Sequence, residues 1–453
     1  MSGASASDPS RFSWQPQPDP WRWLLEIVEL ACRENTTIQV LRSTMRSQTG
    51  TRFVDWIDHL VIASTRADDA ELERLGFVSN GCGAWLHRAG LFPSVIRPNE
   101  ALFDHDREGI GIKVDSVDAF LNAHRSLEHF FRESGGQLSY AVVDLHPSFS
   151  LTVVERHGEP GWNCQVISQV EATTVVKSCR EFDQRERPLS HAGAGFVDAQ
   201  RRFLVAADEL GRNWACDLFF ARERVYWQSR NRAARVQYDR QSALGLGWAN
   251  HDHHTYRSSR EHFAELVGLL ETMGFECRER FYAGAEAGWG AQVLEQPACG
   301  LVVFADVDLS PDEVAGDFAH QGLSPRRQLG TVGLWCKLHG EAIMRAGMHH
   351  LECQFDFDES RRQLHEVGIE TMAPFTEMPY LKQAFTEGET WQVDPEYLSK
   401  LVAQESITEA QAEEFRRHGA RGSHLEILER NDGYKGFNQS GISDIISKTD
   451  PRN

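Results

Sequence analysis

The sequence predicts an α+β protein built from two copies of a doubled strand-helix-strand unit, with helical segments added. Two observations lead to this prediction: strand-like and helix-like patterns alternate in both halves of the chain, and three landmark segments recur in the same order in each half. A third is length, because 453 residues exceed what one hydrophobic core accommodates. We therefore expect two or three domains.

Composition and charge exclude several classes of protein. The net charge of −19 argues against a nucleic-acid partner, and we interpret the basic, aromatic stretch 222–240 as a solvated helix face. No apolar run is long enough to span a membrane, and no signal sequence is evident. The nine cysteines are an odd number without a Cys-x-x-Cys pair, which indicates reduced thiols and a cytoplasmic protein.

The first half begins with a polar stretch and one helix. Residues 1–20 are rich in Ser, Pro and Asp, so we expect disorder. A helix is predicted within 21–50, over about 21–46, because apolar residues recur at helical spacing. The first domain, 51–160, is predicted from three strands and two helices. The strands are predicted at 53–62, 109–114 and 150–156. One helix is predicted to end near residue 75, and the other is predicted to span about 117–133.

The second half follows a helical connection. Residues 161–245 lack the strand-helix alternation and are predicted as a connecting segment with helices at 196–210 and about 216–235. The second domain, 246–453, starts with a strand over 251–257 and a helix over 259–273. We expect it to end with a lid helix at 442–446.

The repeat becomes informative when the two copies are aligned. Asp58-His59-Leu-Val-Ile-Ala63 aligns with Asp252-His253-His-Thr-Tyr-Arg257, and Leu151-Thr152-Val aligns with Leu425-Glu426-Ile. Between them, Gly109-Ile-Gly111 aligns with Met348-His-His350. The second copy thus carries His253, His350 and Glu426 where the first carries His59, Gly111 and Thr152. This pattern indicates a metal-binding second domain and a degenerate, non-catalytic first domain.

Two histidines and one carboxylate form the facial triad that holds non-haem Fe(II) and leaves positions open for dioxygen and substrate. These three residues are far apart in sequence and can meet only if their strands line one barrel. On the first of these strands, His253, Thr255 and Arg257 share one face, whereas His254 and Tyr256 share the other. A fixed positive charge would therefore stand beside the metal and attract an anionic substrate.

These motifs resemble the vicinal oxygen chelate superfamily, over roughly residues 248–446. Within it, the second half resembles the 2-oxoadipate dioxygenase/decarboxylase family in its His253-x-x-x-Arg257 strand, its Gly347-Met-His-His350-Leu strand and its final Leu-Glu426-Ile strand. The final strand, with its Gly-rich turn and lid helix, also looks like 4-hydroxyphenylpyruvate dioxygenase. The resemblance implies two domains of paired βαβββ modules that form open mixed β-barrels.

The resemblance also implies a function. It implies an Fe(II)-dependent dioxygenase that decarboxylates and hydroxylates a 2-oxo acid with O2, with 2-oxoadipate as the model substrate. The chain departs from the family at Gln354, where arginine is usual, and at Leu425 and Glu429, where glycine and glutamine are usual. No external 2-oxoglutarate is implied, and a homo-oligomer is compatible with the resemblance.

Each candidate residue receives an expected role. The expected metal ligands are His253, His350 and Glu426. Arg257 is expected to bind a substrate carboxylate because guanidinium holds carboxylates through two hydrogen bonds, and Gln354 to orient the other end of the substrate. Further substrate-binding candidates are Gln292 and Asn438.

Several alternatives stay open. His350 could pair with Glu352 as a structural hydrogen bond, and Glu429 could replace Glu426. An extradiol ring-cleaving dioxygenase uses the same triad, with His254 or His349 as a base. A glyoxalase-type isomerase needs a further carboxylate, which Glu352 could supply. The last alternative is a non-catalytic small-molecule-binding protein on the same scaffold.

Overall fold

A computed structural model describes residues 14–81, 83–98, 107–127, 129–162, 169–376, 378–438 and 450–452. Two mixed β-sheets, one from each half of the chain, organise these residues, with helices packed against them. A separate two-stranded sheet lies in the second half. The expected disorder of residues 1–20 can be compared only over 14–20, where α1 (Pro18–Glu34) begins, since residues 1–13 lie outside the described ranges.

The first half contributes an eight-stranded sheet. It follows α1, α2 (Thr36–Thr49) and a 3-10 turn at Phe53–Trp56. Its strands are β1 (Ile57–Val61), β2 (Phe77–Ser79), β3 (Ala84–His87), β4 (Ser94–Ile96), β5 (Glu108–Lys113), β6 (Phe131–Ser134), β7 (Leu138–Asp144) and β8 (Phe149–Arg156). Helices α3 (Asp69–Arg74) and α4 (Val117–Ala123) connect them.

Four helices follow before the second sheet begins. They are α5 (Gln169–Asp183), α6 (Ala192–Leu210), α7 (Arg212–Ser229) and α8 (Arg232–Ala243). Their apolar residues share one core with Tyr256, Leu351 and Ile427 of the second sheet. These helices therefore cover the face of that sheet opposite to His253 and Glu426. Among the described residues, no helix is both long enough and apolar enough to cross a membrane.

The second half contributes a seven-stranded sheet. Its strands are β9 (His251–Arg257), β10 (Glu276–Tyr282), β11 (Trp289–Gln296), β12 (Leu301–Asp308), β13 (His350–Gln354), β14 (Leu381–Phe385) and β17 (His424–Arg430). Strands β15 (Thr390–Trp391) and β16 (Ala420–Arg421) form the separate pair. The helices are α9 (Phe263–Thr272), α10 (Pro311–Val314), α11 (Thr331–His339), α12 (Phe357–Glu366), α13 (Pro395–Ala403) and α14 (Glu409–His418).

Strand order confirms the predicted fold class. The first sheet runs β2-β3-β4-β1-β5-β8-β7-β6, and the second runs β10-β11-β12-β9-β13-β17-β14. Corresponding neighbours pair in the same sense: β1 and β9 are parallel to β4 and β12, and β5 and β13 are parallel to β8 and β17. Among the strands that the structure describes, neither sheet closes. The chain is thus an α+β protein with two open mixed sheets of paired modules and helical insertions.

The register of the central strands corrects one part of the sequence alignment. His59 pairs with Gly111, and its counterpart His253 pairs with Glu352 rather than with His350. The structural counterpart of Gly111 is therefore Glu352, and that of His350 is Gly109. The alignment was wrong by two residues because a shift of two along a strand keeps every side chain on the same face.

Three predicted helices differ from those observed. The single helix predicted over 21–46 is two helices, because Asn35 adopts an extended backbone and its side chain accepts hydrogen bonds from Thr37 N and Ile38 N. Asn231 separates α7 from α8 in the same way, by capping Ala234 N. The helix predicted over 117–133 ends at Ala123, since Phe131–Ser134 pairs with β7. The predicted lid helix at 442–446 lies outside the described residues.

Candidate metal centre and cavity

The three central strands of the second sheet bring the predicted metal ligands together. Glu352 of β13 lies directly between His253 of β9 and Glu426 of β17 in the strand register. One pleat further, His350 lies between Thr255 and His424. Side chains two residues apart on a strand share a face, and all of these except His424 line one cavity. The predicted set of His253, His350 and Glu426 therefore converges.

Distances show a fourth member at the middle of this group. Glu352 Oε1 lies 2.9 Å from His253 Nε2 and 2.6 Å from His350 Nε2. His350 Nε2 lies 3.7 Å from Glu426 Oε2. Gln383 Nε2 donates to Glu426 Oε1 at 2.9 Å. Ligand atoms of His350, Glu352 and Glu426 all lie within 4.8 Å of one another, which suits one metal ion.

Outer hydrogen bonds fix the orientation of both imidazoles. His253 Nδ1 is 2.8 Å from Asp252 Oδ1, so its Nε2 points to the cavity. Arg430 holds Asp252 through two hydrogen bonds of 2.8 and 2.9 Å. His350 Nδ1 lies 2.6 Å from His349 Nδ1, which leaves His350 Nε2 facing Glu352. Contacts of this type are what orients metal-binding histidines in proteins.

The charges in this group fit a divalent cation. Although burial opposes its ionisation, His253 and His350 hold the pKa of Glu352 well below its usual range. Burial and the neighbouring carboxylate of Glu352 raise the pKa of Glu426 well above its usual range. A cation between the two carboxylates would remove this repulsion, and imidazole with carboxylate is a donor set that suits first-row metals.

Arg257 lies two pleats along from His253 and lines the same cavity. Its side chain is 4 % exposed, and its Nε and Nη1 have no hydrogen-bond partner among the described residues. Asp306 Oδ2 is 4.0 Å from its Nε, and the guanidinium lies 5.6 Å from the centre of the Trp335 ring. Burial, only partly offset by Arg257, raises the pKa of Asp306 to about 8. A buried guanidinium with free donors is ready to bind an anion.

Aromatic rings form most of the remaining wall. Phe304 and Phe437 pack on the His253 ring, with centroids 4.5 and 5.6 Å away, and Phe385 packs 5.2 Å from His350. The cavity volume is about 100 Å³. Its other aromatic and polar lining residues are Phe281, Trp289, Phe375, Thr255 and Asn438.

The structure places the predicted substrate-binding residues Asn438, Gln354 and Gln292 differently, and of these three only Asn438 lines the cavity. Asn438 lines the cavity, where its amide donates to Phe375 O at 2.8 Å. Gln354 does not: its amide donates to Asp252 Oδ2 at 3.1 Å, so it helps to orient His253. Gln292 faces the helix-covered side of the sheet, and its amide donates to Glu279 O and Val293 O. The expectation that Gln354 and Gln292 face the substrate is therefore wrong, because both amides are bound outside the cavity.

Sequence reasoning missed Asp306 and Gln383 and gave Glu352 only a secondary place. Alternation along β13 was a signal for Glu352, which stands two residues after His350. Asp306 lies in an otherwise apolar strand that ends at Asp308, and an acidic residue inside such a strand is a signal for a buried site. The unassigned histidines are also placed: His349 lines the cavity, whereas His254 packs behind the sheet near Phe220.

The chain is only distantly similar to known proteins. No protein-family model matches it, and no curated protein matches. One similar solved structure is a protein from Shewanella frigidimarina that is named as a hydrolase. The match covers 50 % of this chain and 98 % of that protein, at 14 % sequence identity and a TM-score of 0.35. A second solved structure is a mutant of 4-hydroxymandelate synthase from Streptomyces coelicolor. The match covers 88 % of this chain and 98 % of the synthase, at 12 % sequence identity and a TM-score of 0.29.

A third solved structure is the Mn(II)-bound glyoxalase from Novosphingobium aromaticivorans. It covers 83 % of this chain and 82 % of its own, at 8 % identity and a TM-score of 0.19. Scores and identities this low carry no argument about activity. The fold assignment therefore stands on strand order and register, and the function must be argued from the cavity.

Proposed function

We propose that this chain is an Fe(II)-dependent dioxygenase that decarboxylates and hydroxylates a 2-oxo acid using O2. The observation that carries the proposal is the buried Arg257 guanidinium, which lines the same cavity as the His/Glu cluster and whose Nε and Nη1 have no hydrogen-bond partner among the described residues. This pairs a divalent-metal donor set with a carboxylate-binding cation. A substrate that chelates the metal and carries a carboxylate matches both features.

The cavity residues have separate roles in this proposal. His253 and His350, through Nε2, and Glu426, through its carboxylate, would hold the ion. Fe(II) bound there supplies electrons to dioxygen and a chelation point for the keto and carboxylate oxygens of the substrate. Arg257 binds a carboxylate of the substrate, and its guanidinium lies between Trp335 and Asp306. The rings of Phe304, Phe385 and Phe437 exclude water from the reacting atoms.

The reaction is balanced for 2-oxoadipate. The bond between C1 and C2 breaks, and C1 leaves as CO2. One atom of O2 enters the new carboxyl group and the other enters a C–H bond as a hydroxyl, so that 2-hydroxyglutarate forms. The C–C and C–H bonds supply all four electrons, which is why no external reductant is required.

The lining favours a second candidate substrate of the same class. Six aromatic side chains line the cavity: Phe281, Trp289, Phe304, Phe375, Phe385 and Phe437. Aromatic walls suit an aryl 2-oxo acid such as 4-hydroxyphenylpyruvate. With 2-oxoadipate, by contrast, Arg257 would take the distal carboxylate while the metal takes the 2-oxo acid end.

The test is oxygen uptake by protein loaded anaerobically with Fe(II), with 2-oxoadipate, 4-hydroxyphenylpyruvate and other 2-oxo acids, and with catechols for comparison. We expect one 2-oxo acid to give O2 uptake matched by CO2 release. Uptake with a catechol and no CO2 would replace the proposal with ring cleavage, in which the neutral His349 could serve as base. No uptake by iron-loaded protein would contradict the proposal.

Substrate binding through Arg257 has its own test. Arg257→Met keeps much of the side-chain volume and removes the charge, so KM should rise by about 10- to 100-fold, the value of a charge-assisted hydrogen bond. Metal content should not change. A matched control is Arg361→Met, because Arg361 bonds to Thr371 away from the cavity. An unchanged KM for Arg257→Met would remove the carboxylate-binding role.

A further inference from the structure

Glu352 has a position that the two-histidine, one-carboxylate set does not use. Its side chain is 1 % exposed, and one oxygen, Oε1, contacts Nε2 of both His253 and His350. Thr255 Oγ1 donates to the same oxygen at 3.1 Å. The other oxygen, Oε2, has no hydrogen-bond partner within the described ranges. This carboxylate therefore stands where the two imidazoles converge.

Metal binding at both imidazoles would remove the partners of Glu352. A histidine that binds a metal through Nε2 cannot donate a hydrogen bond from that atom. Glu352 would then keep one hydrogen bond, from Thr255, for a fully buried charge. Leaving a buried carboxylate without compensation is strongly destabilising. Coordination of the ion by Glu352 avoids this cost, since the carboxylate already lies within 3 Å of both donor atoms.

We propose that Glu352 is a fourth protein ligand of the resting metal centre, beside His253, His350 and Glu426, and that the carboxylate of the substrate replaces it. The replacement of Glu352 by the substrate carboxylate rests on the proposed function. Three protein ligands would leave room at the ion for a chelating 2-oxo acid and dioxygen. A fourth protein ligand would take up part of that room until the substrate replaces it. Exchange of one carboxylate for another preserves the charge of the site, and Thr255 remains as a partner for the displaced Glu352.

The test measures metal binding without turnover. We would titrate Co(II) into the metal-free chain anaerobically, determine Kd by competition with a chelator and record the visible d–d absorption. Glu352→Gln keeps the shape but removes the charge, and we expect Kd to rise at least 10-fold with a changed spectrum. The matched control is Glu341→Gln, which alters a buried carboxylate bound to Ser258 and Ser259 outside the cavity. Its Kd and spectrum should equal those of the wild type.

An unchanged Kd and spectrum for Glu352→Gln would overturn the proposal. If that variant does not fold, Glu352→Asp takes its place, since the shorter carboxylate cannot reach the same point. A Kd equal to that of the wild type would then overturn the proposal. For the exchange step, adding the 2-oxo acid to the wild-type Co(II) protein should change its spectrum, whereas the Glu352→Gln spectrum should change less.

These readouts separate the two proposals. The Co(II) affinity and spectrum do not depend on oxygen chemistry, so a Glu352 effect without any O2 uptake would leave the four-ligand set standing and remove the dioxygenase. Matched O2 uptake and CO2 release with no effect of Glu352→Gln would support the dioxygenase and overturn the four-ligand set. Equal spectral changes in the wild type and Glu352→Gln on adding the 2-oxo acid would overturn the exchange alone.

Discussion

The two sheets hold the same type of orienting residues around one histidine each, but only the histidine of the second sheet lines a cavity. In the second half, Asp252 contacts His253 Nδ1 at 2.8 Å and is held by Arg430. In the first half, Asp58 contacts His59 Nδ1 at 2.8 Å and is held by Arg156 at 2.6 and 3.0 Å. Each arginine also bonds to two carbonyls of the loop that follows its strand.

The positions that face these histidines differ. Where the second half has His350, Glu352, His424 and Glu426, the register of the first half places Gly109, Gly111, Ser150 and Thr152. A Cβ on Gly111 would lie 2.0 Å from Cε1 of His59, so the imidazole occupies the space of the missing side chain. His59 Nε2 is buried without a hydrogen-bond partner in the described part of the chain.

The Asp-His-Arg arrangement therefore serves the fold in both halves, including the half that lacks the clustered histidine and carboxylates. Both arginines fasten a strand end to its loop, and an aromatic ring from that loop covers the histidine, Trp162 in one half and Phe437 in the other. A histidine oriented in this way does not by itself indicate a metal site. The side chains on the two neighbouring strands make the difference.

The largest expected effect separates the two halves by metal binding. Glu426→Ala should weaken Co(II) or Fe(II) binding by more than about 100-fold and abolish turnover, because loss of a direct ligand exceeds the usual effect of an outer residue. Thr152→Ala, at the matching position of the first half, should leave metal affinity unchanged. Competition with a chelator measures both. Equal effects of the two variants would contradict the assignment of the second half as the metal site.

Next in size are the orienting aspartates. Asp58→Asn and Asp252→Asn each leave a buried arginine without its charged partner, so each should lower the free energy of unfolding by about 3–5 kcal/mol. Asp252→Asn should in addition weaken metal binding by about 10- to 100-fold. Chemical denaturation of the metal-free protein and chelator competition give the two quantities. A drop in metal affinity for Asp58→Asn would contradict the functional difference between the halves.

A third prediction concerns His157, which follows Arg156 where the second half has Asn431. Although burial opposes its charge, hydrogen bonds from His157 to Asp217 and Glu155 raise its pKa to about 10. Because the folded-state pKa exceeds the ordinary value of about 6.5, the stabilisation is complete below about pH 6.5 and is lost as pH rises to about 10. It should fall by at most about 1.4 kcal/mol per pH unit.

The measurement is the difference in unfolding free energy between the wild type and His157→Asn at several pH values. We expect this difference to shrink between pH 7 and 10. The control is His365→Asn, since His365 pairs with Glu370 at the exposed surface, where ion pairs contribute little. A difference that stays constant with pH would show that His157 is not charged in the folded protein.

The smallest expected effect tests the filled cavity of the first half. Gly111→Ala places a methyl group against the His59 ring, which Asp58 and Trp162 hold in position. The overpacking should cost about 1–3 kcal/mol of unfolding free energy. In a His59→Ala background the same change should cost much less, because the ring is gone. An equal loss of unfolding free energy in both backgrounds would show that the His59 ring does not exclude a side chain at position 111.

The repeat and three of the four clustered side chains, His253, His350 and Glu426, could be predicted from sequence because strands alternate with a period of two. That period also explains the error at Gly109 and Gly111, since a shift of two residues leaves the pattern intact. Asp306 could not be placed, because its position beside Arg257 depends on the pairing of β12 with β9. The breaks at Asn35 and Asn231 depend on side-chain caps that compete with a continuous helix.

The carboxylate pair of Glu352 and Glu426 has a consequence for how the protein responds to its surroundings. Burial beside Glu352 raises the pKa of Glu426 well above its usual range, so the metal-free site keeps a proton there that a bound cation would displace. A ligand that binds only the folded state adds stability with the logarithm of its concentration, about 2.7 kcal/mol at a hundredfold excess over Kd. The melting temperature should therefore follow the supply of free metal. We expect proteases to cleave the metal-free chain faster than the loaded chain.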